Sequence, residues 1–318
     1  MNAQILTAST LAFLYAGVLP AKAADPQLVG LVMPDAQVLA GVNVEQAKVT
    51  PFGQYVLSQI RTSDPQFQEL IALTGFDPTR DVREVLVASN GGTATHAGLV
   101  VARGTFDSNK IAAAAVDKGA VTETYNGVTI IEEPKKSAGV AFLFSSTVVV
   151  AGDLANVKAA IDRQNSPSSL PSALAVQVDH WSGTQDAWAI SAVPLSTLHP
   201  PAGAPKVPGL NGQGTFQAIQ QAASGVKFGA LVVVTAEVKA DTAENAKSMG
   251  DALKLLANLV QMQAANEPAA AALAQSLTVS TQGNTLNVTV SLPQDQLQQV
   301  VQTPKRPAAR RQGSAIRK

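Results

Sequence analysis

Strict alternation of apolar and polar residues marks several stretches of this chain as strands. In TLNVTVSLP (285–293), every second position from 286 to 292 is Leu or Val, and the residues between them are polar. This period of two is typical of a strand with one face in water. The pair Gly283 and Asn284 before it, and the pair Asn126 and Gly127 between VTETY and VTIIEE, predict hairpin turns, because such residues accept positive φ angles.

A spacing of three and four between apolar residues predicts amphipathic helices. One helix is expected after Thr50 and a second over 64–75, each with a proline in its first turn. The longest helix is expected after Asp241, whose capping box is completed by Glu244. Its apolar residues form two neighbouring rows, which are Ala246, Met249, Leu253, Leu256 and Val260, and Ala252, Leu255 and Leu259. So wide a stripe favours packing on a sheet over a coiled-coil seam.

The segment TVVVAGDLANVKAAIDR (147–163) passes directly from a strand pattern to a helix pattern. Many phosphate-binding sites begin in this way, but they require several glycines and this turn has only Gly152. Asp153 is instead expected to cap the helix, and its carboxylate would repel a phosphate there. The order strand, strand, helix ends near residue 163 and again near residue 302, which predicts an internal duplication.

These elements predict an α+β protein of two similar halves, each a mainly antiparallel sheet covered by amphipathic helices on one face. The predicted domains are 24–164 and 173–302, joined by the serine- and proline-rich linker 165–172. A length of 318 residues fits two domains of ordinary size. The stretch 194–214 holds five prolines and four glycines and is expected to be a surface loop, with a binding loop as the alternative.

The first 23 residues are predicted to be a signal peptide. An uncharged apolar run, ILTASTLAFLYAGVL, is followed by Pro20 and by AKA at 21–23, a pattern of small residues that predicts cleavage after Ala23. The run is short for a membrane span, although the preceding MNAQ lacks the usual Lys or Arg. We expect a periplasmic or secreted protein, with anchoring by an uncleaved signal as the alternative.

Charge is distributed unevenly, although the formal net charge is zero. All 23 acidic residues lie within 24–302, whereas the tail TPKRPAARRQGSAIRK (303–318) carries six basic residues and no acidic one. An acidic body argues against specific nucleic-acid binding. The tail is expected to be disordered and dispensable for folding, and its functional alternative is attachment to an anionic surface of lipid headgroups or wall polymers.

Candidate chemistry is sparse. The chain has no cysteine, which excludes disulfides, cysteine nucleophiles and thiolate metal sites. Its three histidines, His96, His180 and His199, lack a second ligand at the spacing of a metal site. DHWSGTQD (179–186) is interpreted as turn chemistry in a loop. SGVK (224–227) matches the Ser-x-x-Lys spacing, but its serine is expected to end a helix rather than to begin one. We therefore assign no catalytic, cofactor-binding or metal-binding residue and expect no cofactor.

The passages MPDAQVLAGVNV, TGFDPTRDVREVLVAS and FLFSSTVVVAGDLANVKAAIDR resemble those of exported bacterial proteins of unknown function. In those proteins a proline-aspartate phrase precedes a strand, and a Gly-x-Asp-Pro-x-x-Asp phrase precedes the next one. The resemblance covers most of the first half of the chain and the order of elements in the second. It implies export and a duplicated α+β build, and it supplies no catalytic residues.

Two functions are compatible with these patterns. Strand faces of Thr, Ser, Gln and Asn beside amphipathic helices favour a non-catalytic binding or envelope-structural module, whose partner would be an envelope protein or polymer. The alternative is an envelope hydrolase whose site brings distant carboxylates together, for example Asp77 or Asp81 with a residue from 194–214. The absence of a spaced set of nucleophile, base and metal ligands favours the first.

Overall fold

The computed structural model describes residues 24–63, 65–91, 98–194, 218–262 and 268–296. Its strands are β1 (Val38–Asn43), β2 (Val82–Ser89), β3 (Gly98–Gly104), β4 (Val121–Tyr125), β5 (Val128–Glu133), β6 (Ala138–Leu143), β7 (Val148–Asp153), β8 (Ala187–Ser191), β9 (Ile219–Lys227), β10 (Leu231–Ala240), β11 (Leu277–Gln282) and β12 (Thr285–Pro293). They form one twelve-stranded antiparallel sheet in the order β11-β12-β10-β9-β8-β1-β2-β3-β7-β6-β5-β4.

Helices connect these strands and pack on the sheet. They are α1 (Pro26–Val29), α2 (Val44–Lys48), α3 (Pro51–Ser63), α4 (Pro65–Thr74), α5 (Pro78–Asp81), α6 (Ser108–Asp117), α7 (Leu154–Arg163), α8 (Ser172–Thr184), α9 (Ala243–Met262) and α10 (Pro268–Ser276), with a short 3₁₀ helix at Pro134–Lys136. The α+β class predicted from the sequence is therefore confirmed.

Each half of the sheet begins at its centre, where β1 pairs with β8 so that Ala40 lies opposite Ala189. Outward from this join, the first half runs β1-β2-β3-β7-β6 and the second runs β8-β9-β10-β12-β11. When β4 and β5 are left out, each half has five strands, and strands with the same place in the chain order of their half have the same place in the sheet. The additional β4–β5 hairpin lies at the outer edge of the first half. Descent from one duplicated unit stays a prediction, which superposition of the two halves would test.

Helices pack on both faces of the sheet, so the prediction that they cover one face is wrong. The front face, defined by Leu39, Leu86, Leu99 and Ile190, carries the main core under α1, α7 and α8. The back face, defined by Val85, Ala102 and Val149, packs against α2, α3 and α6 in the first half. In the second half α9 packs on the back face through Ala246 and Met249, which contact Val238 and Leu286.

Apolar residues on both faces of β1, β2 and β3 explain this arrangement. Along β2, front-face Leu86 and Ala88 are buried and alternate with Val85 and Val87, which are apolar as well. A strand with two apolar faces needs cover on both. The helical periods alone do not reveal on which face each helix lies.

Most local turn and cap predictions are confirmed, but the capping box of Asp241 with Glu244 is wrong. The Thr242 hydroxyl caps α9 instead, accepting from the Asn245 N–H at 3.1 Å, and the Asp241 N–H donates to the Ala218 carbonyl. Asn126 and Gly127 adopt positive φ angles of 47° and 78° between β4 and β5. The Thr50 hydroxyl accepts a hydrogen bond from the Gly53 N–H at 3.2 Å at the start of α3. The Asp153 carboxylate caps α7 and accepts from the Ala155 N–H at 2.9 Å. Gly152 serves strand packing, because a Cβ there would collide with the carbonyl oxygen of Gly98.

Two helix predictions require correction. DHWSGTQD was expected in a loop, but residues up to Thr184 belong to α8, which buries Leu174, Val178 and Trp181 in the front-face core. The spacing of these three apolar residues is helical, and the polar residues between them obscure it. On α9, Leu255 and Leu259 are 60% and 46% exposed, so the second apolar row does not pack on the sheet.

Candidate functional site

The residues considered for catalysis do not converge where the structure describes them. His180 lies on α8 with its ring edge-on to Trp181, at 5.8 Å between centroids. His96 and His199 lie outside the described residues, as do residues 195–214 of the long loop. Among the residues that the structure describes, no group of three or more His, Cys, Asp or Glu could hold a metal ion.

Asp77 and Asp81, the carboxylates of the hydrolase alternative, are engaged in capping α5. Asp77 accepts hydrogen bonds from the backbone N–H and the hydroxyl of Thr79, at 3.0 and 2.6 Å. Asp81 accepts from the Asp77 N–H at 2.9 Å and pairs with Arg80, which lowers the pKa of Asp81. Both carboxylates therefore stabilise the turn that contains α5, which is a structural role.

The Ser-x-x-Lys match lies in strand β9, so the expectation that Ser224 ends a helix is wrong. Lys227 donates to the buried carboxylate of Asp186 at 2.7 Å. This lysine therefore forms an ion pair that joins the end of β9 to the residue before β8.

A cleft of about 840 Å³ opens on the back face between α4, α6 and the β5–β6 hairpin. Its wall is mainly apolar and is formed by Leu70, Leu73, Ile111, Ala114, Ala115, Ile131, Ala138 and Val140. Ile131 at its base is 7% exposed, whereas Leu73 at its mouth is 53% exposed. A volume of this size lies in the range of pockets for small organic ligands, roughly 300–1,000 Å³.

Small side chains on α6 create the space. The helix contains the run IAAAAV, and it turns Ala114 and Ala115 towards the cleft. Leucine at those positions would extend several ångströms further and fill the volume between α6 and the sheet. The alanine run is visible in the sequence, but nothing local shows that α4 and β6 stand opposite it.

Charged residues line the mouth of the cleft. Lys118, which caps the end of α6, pairs with Glu69 of α4 at 2.7 Å, and both side chains are about half exposed. Glu133 and Lys135 lie at the opposite rim. An apolar floor below a rim with both signs of charge suits a molecule with an aliphatic body and a polar end.

A carboxyl pair lies on the front face of the β4–β5 hairpin, on the opposite side of the sheet from the cleft wall that Ile131 forms. The Glu123 carboxylate binds Lys158 of α7 at 2.7 Å, and this hydrogen bond holds the pKa of Glu123 below its usual range. The interaction with Glu123 raises the pKa of Glu132. One oxygen of Glu132, Oε1, is buried without a hydrogen-bond partner among the described residues.

No helix in the described part of the chain is both long enough and apolar enough to cross a membrane.

Two solved structures share the fold of this chain. Crystal form I of TP0453 has a TM-score of 0.50 and 11% sequence identity, and the match covers 88% of this chain and 98% of that chain. Crystal form IV of TP0453 gives a TM-score of 0.51 and 12% identity over 86% of this chain and 95% of that chain. Identity this low shows likeness of fold alone. No family model and no curated protein matches the chain. The resemblance to exported bacterial proteins stays a prediction.

Proposed function

We propose that this chain is an exported, non-catalytic binding protein of the cell envelope, and that its back-face cleft holds an aliphatic ligand. The observation that carries the proposal is the apolar cleft itself, which is preformed between two helices and a hairpin and is open at its mouth. Clefts of this kind bind ligands by burying apolar area, at about 25 cal/mol per Å². The cleft alone supplies the binding surface, so the polar faces of the strands have no direct role in binding.

The shape and lining favour a single aliphatic chain with a polar end group. Leu70, Ile111 and Ile131 offer methyl groups without aromatic rings for stacking. Lys118 and Lys135 at the rim can meet an anionic end group, while Glu69 and Glu133 there disfavour a ligand with several negative charges. A fatty acid of medium length is therefore a suitable probe.

Replacing Ala115 with tryptophan is expected to weaken binding of a fluorescent fatty acid at least tenfold, because the indole occupies the cleft. Val116 is the next residue on the same helix and is 46% exposed. Val116→Trp adds the same side chain outside the cleft and should change affinity less than twofold. Titration of probe fluorescence, with competition by unlabelled fatty acids of increasing length, measures both. Equal affinity in the two variants would refute the assignment of the cleft.

Export is tested separately from binding. The small residues at 21 and 23 predict that the exported protein begins at Ala24. Sequencing the amino terminus of the protein from the envelope fraction checks this. An intact Met1 in a cytoplasmic fraction would contradict export and leave the cleft experiment unaffected.

A further inference from the structure

Glu84 of β2 faces the backbone at which the predicted mature chain begins. Its Oε1 accepts a hydrogen bond from the backbone N–H of Asp25 at 2.8 Å. Ala24 precedes Asp25 and is itself buried, at 8% exposure. If the leader is removed after Ala23, the nitrogen of Ala24 becomes a free α-ammonium group.

Covalent geometry places that ammonium group close to Glu84. Successive backbone nitrogens are at most about 3.7 Å apart, since three bonds of fixed length join them. The Ala24 nitrogen therefore lies within about 6.5 Å of Glu84 Oε1 when the Asp25 hydrogen bond is kept. Opposite charges at such a separation shift each other's pKa strongly when they are partly shielded from water.

The charged groups around Glu84 include one more carboxylate than cation. Arg103 lies directly opposite Glu84 in the β2–β3 register, and its Nη2 binds the carboxylate of Asp25 at 2.8 Å and Gln27 Oε1 at 2.9 Å. When Asp25 and Glu84 are both ionised, two carboxylates and one guanidinium give this cluster a net charge of about −1. Burial raises the pKa of Glu84 to about 7, and neighbouring Asp25 adds to the effect while Arg103 opposes it.

We infer that the Glu84 carboxylate binds the α-ammonium group that processing creates at Ala24, and that this ion pair fixes the start of the mature chain on the sheet. The ammonium group neutralises the cluster and stabilises the ionised form of Glu84. The inference depends on the predicted cleavage and is independent of the cleft, which lies on the back face.

The test compares two proteins that contain residues 24–318. One begins at Ala24, and the other carries Gly-Ser-Gly before Ala24, which moves the ammonium group away from Glu84. At pH 7 the protein that begins at Ala24 should melt several degrees higher. Glu84→Gln should abolish this difference. Glu45→Gln should preserve it, because Glu45 is a 62% exposed carboxylate that pairs with Arg83 and not with the amino terminus.

The α-amino group provides a direct readout. In the protein that begins at Ala24, NMR titration should show an amine that is about tenfold weaker as an acid than the same amine in Glu84→Gln. A base whose pKa is raised by folding stabilises the folded state below its unfolded pKa, near 8, and loses that effect as the pH rises through the folded pKa. The melting advantage should therefore disappear in alkaline solution.

The extended protein should also lose stability as the pH rises, but over a lower pH range. There the raised pKa of Glu84 favours its protonated form in the folded state, so stability should fall as the pH rises from about 4.5 to about 7. Equal melting temperatures of the two proteins at pH 7, or an amine with an ordinary pKa, would overturn the inference. Retention of the leader in the exported protein would overturn it as well. If Glu84→Gln does not fold, the two unmutated proteins and the amine titration still decide the question.

Discussion

Replacing Trp188 with alanine is expected to lower the free energy of unfolding by about 4 kcal/mol. Trp188 lies on β8 at the centre of the sheet and is 3% exposed within the front-face core. Its removal leaves a cavity at the junction of the two halves. Strands β1 and β9 are both hydrogen-bonded to β8, one on each side, so they cannot shift to fill the cavity. Chemical denaturation followed by circular dichroism measures the loss.

The expected loss is coupled to Gly41, the residue opposite Trp188 on β1. A Cβ on Gly41 would lie 2.6 Å from the Trp188 ring, so the indole occupies the space that glycine leaves free. Gly41→Ala should cost about 2 kcal/mol in the natural protein, because it overpacks this contact. The same substitution should cost far less when Trp188 is already alanine. Additive losses would show that the two residues do not share this space.

Trp188→Phe provides a milder control. The indole N–H of Trp188 is buried and has no hydrogen-bond partner among the residues described. Phenylalanine keeps most of the apolar volume and removes that unpaired donor. The loss of stability should accordingly be well below that of Trp188→Ala.

Replacing Asp186 with alanine is expected to cost about 3 kcal/mol, the second largest effect. Its carboxylate is 5% exposed and accepts two hydrogen bonds of 2.7 Å, from Lys227 Nζ and from the Phe228 N–H. Its backbone continues the sheet, since the Asp186 carbonyl accepts from Asn43 N and its N–H donates to Val226. Alanine leaves the two donors without their charged acceptor, and denaturation curves should show the loss directly.

Asp251→Ala is the matched control for that prediction. Asp251 pairs with Lys247 on α9 at 2.8 Å, but both side chains are mostly exposed. Solvent screens such a pair, so the unfolding midpoint should stay nearly unchanged. A large loss of stability in Asp251→Ala, or no loss in Asp186→Ala, would show that burial does not decide how much these ion pairs stabilise the protein.

Local features could be predicted from the sequence because the interactions that create them are local. The turn at Asn126 and Gly127 depends on the φ angles that two neighbouring residues accept. The cap of α7 depends on Asp153 and on an N–H two residues later. The residues that form such interactions lie within a few positions of one another, so a short stretch of sequence is enough to predict them.

Long-range features could not be predicted in the same way. The pairing of β1 with β8 joins residues such as Ala40 and Ala189, and alternation alone assigns no partner to a strand. The cleft brings Leu70 of α4 together with Val140 of β6. Each residue appears in the sequence as an ordinary apolar position, and only the topology makes them neighbours.

The position of β1 has a consequence for how the chain is made. On one side β1 pairs with β2, which follows soon after it, but its other partner, β8, is synthesised only after residues 44–186. During that interval the backbone N–H and C=O groups on one side of β1 form an open edge, and an open edge is a template for pairing with another chain. Slow synthesis of residues 44–186 would prolong the exposure and favour association between nascent copies over completion of the native sheet.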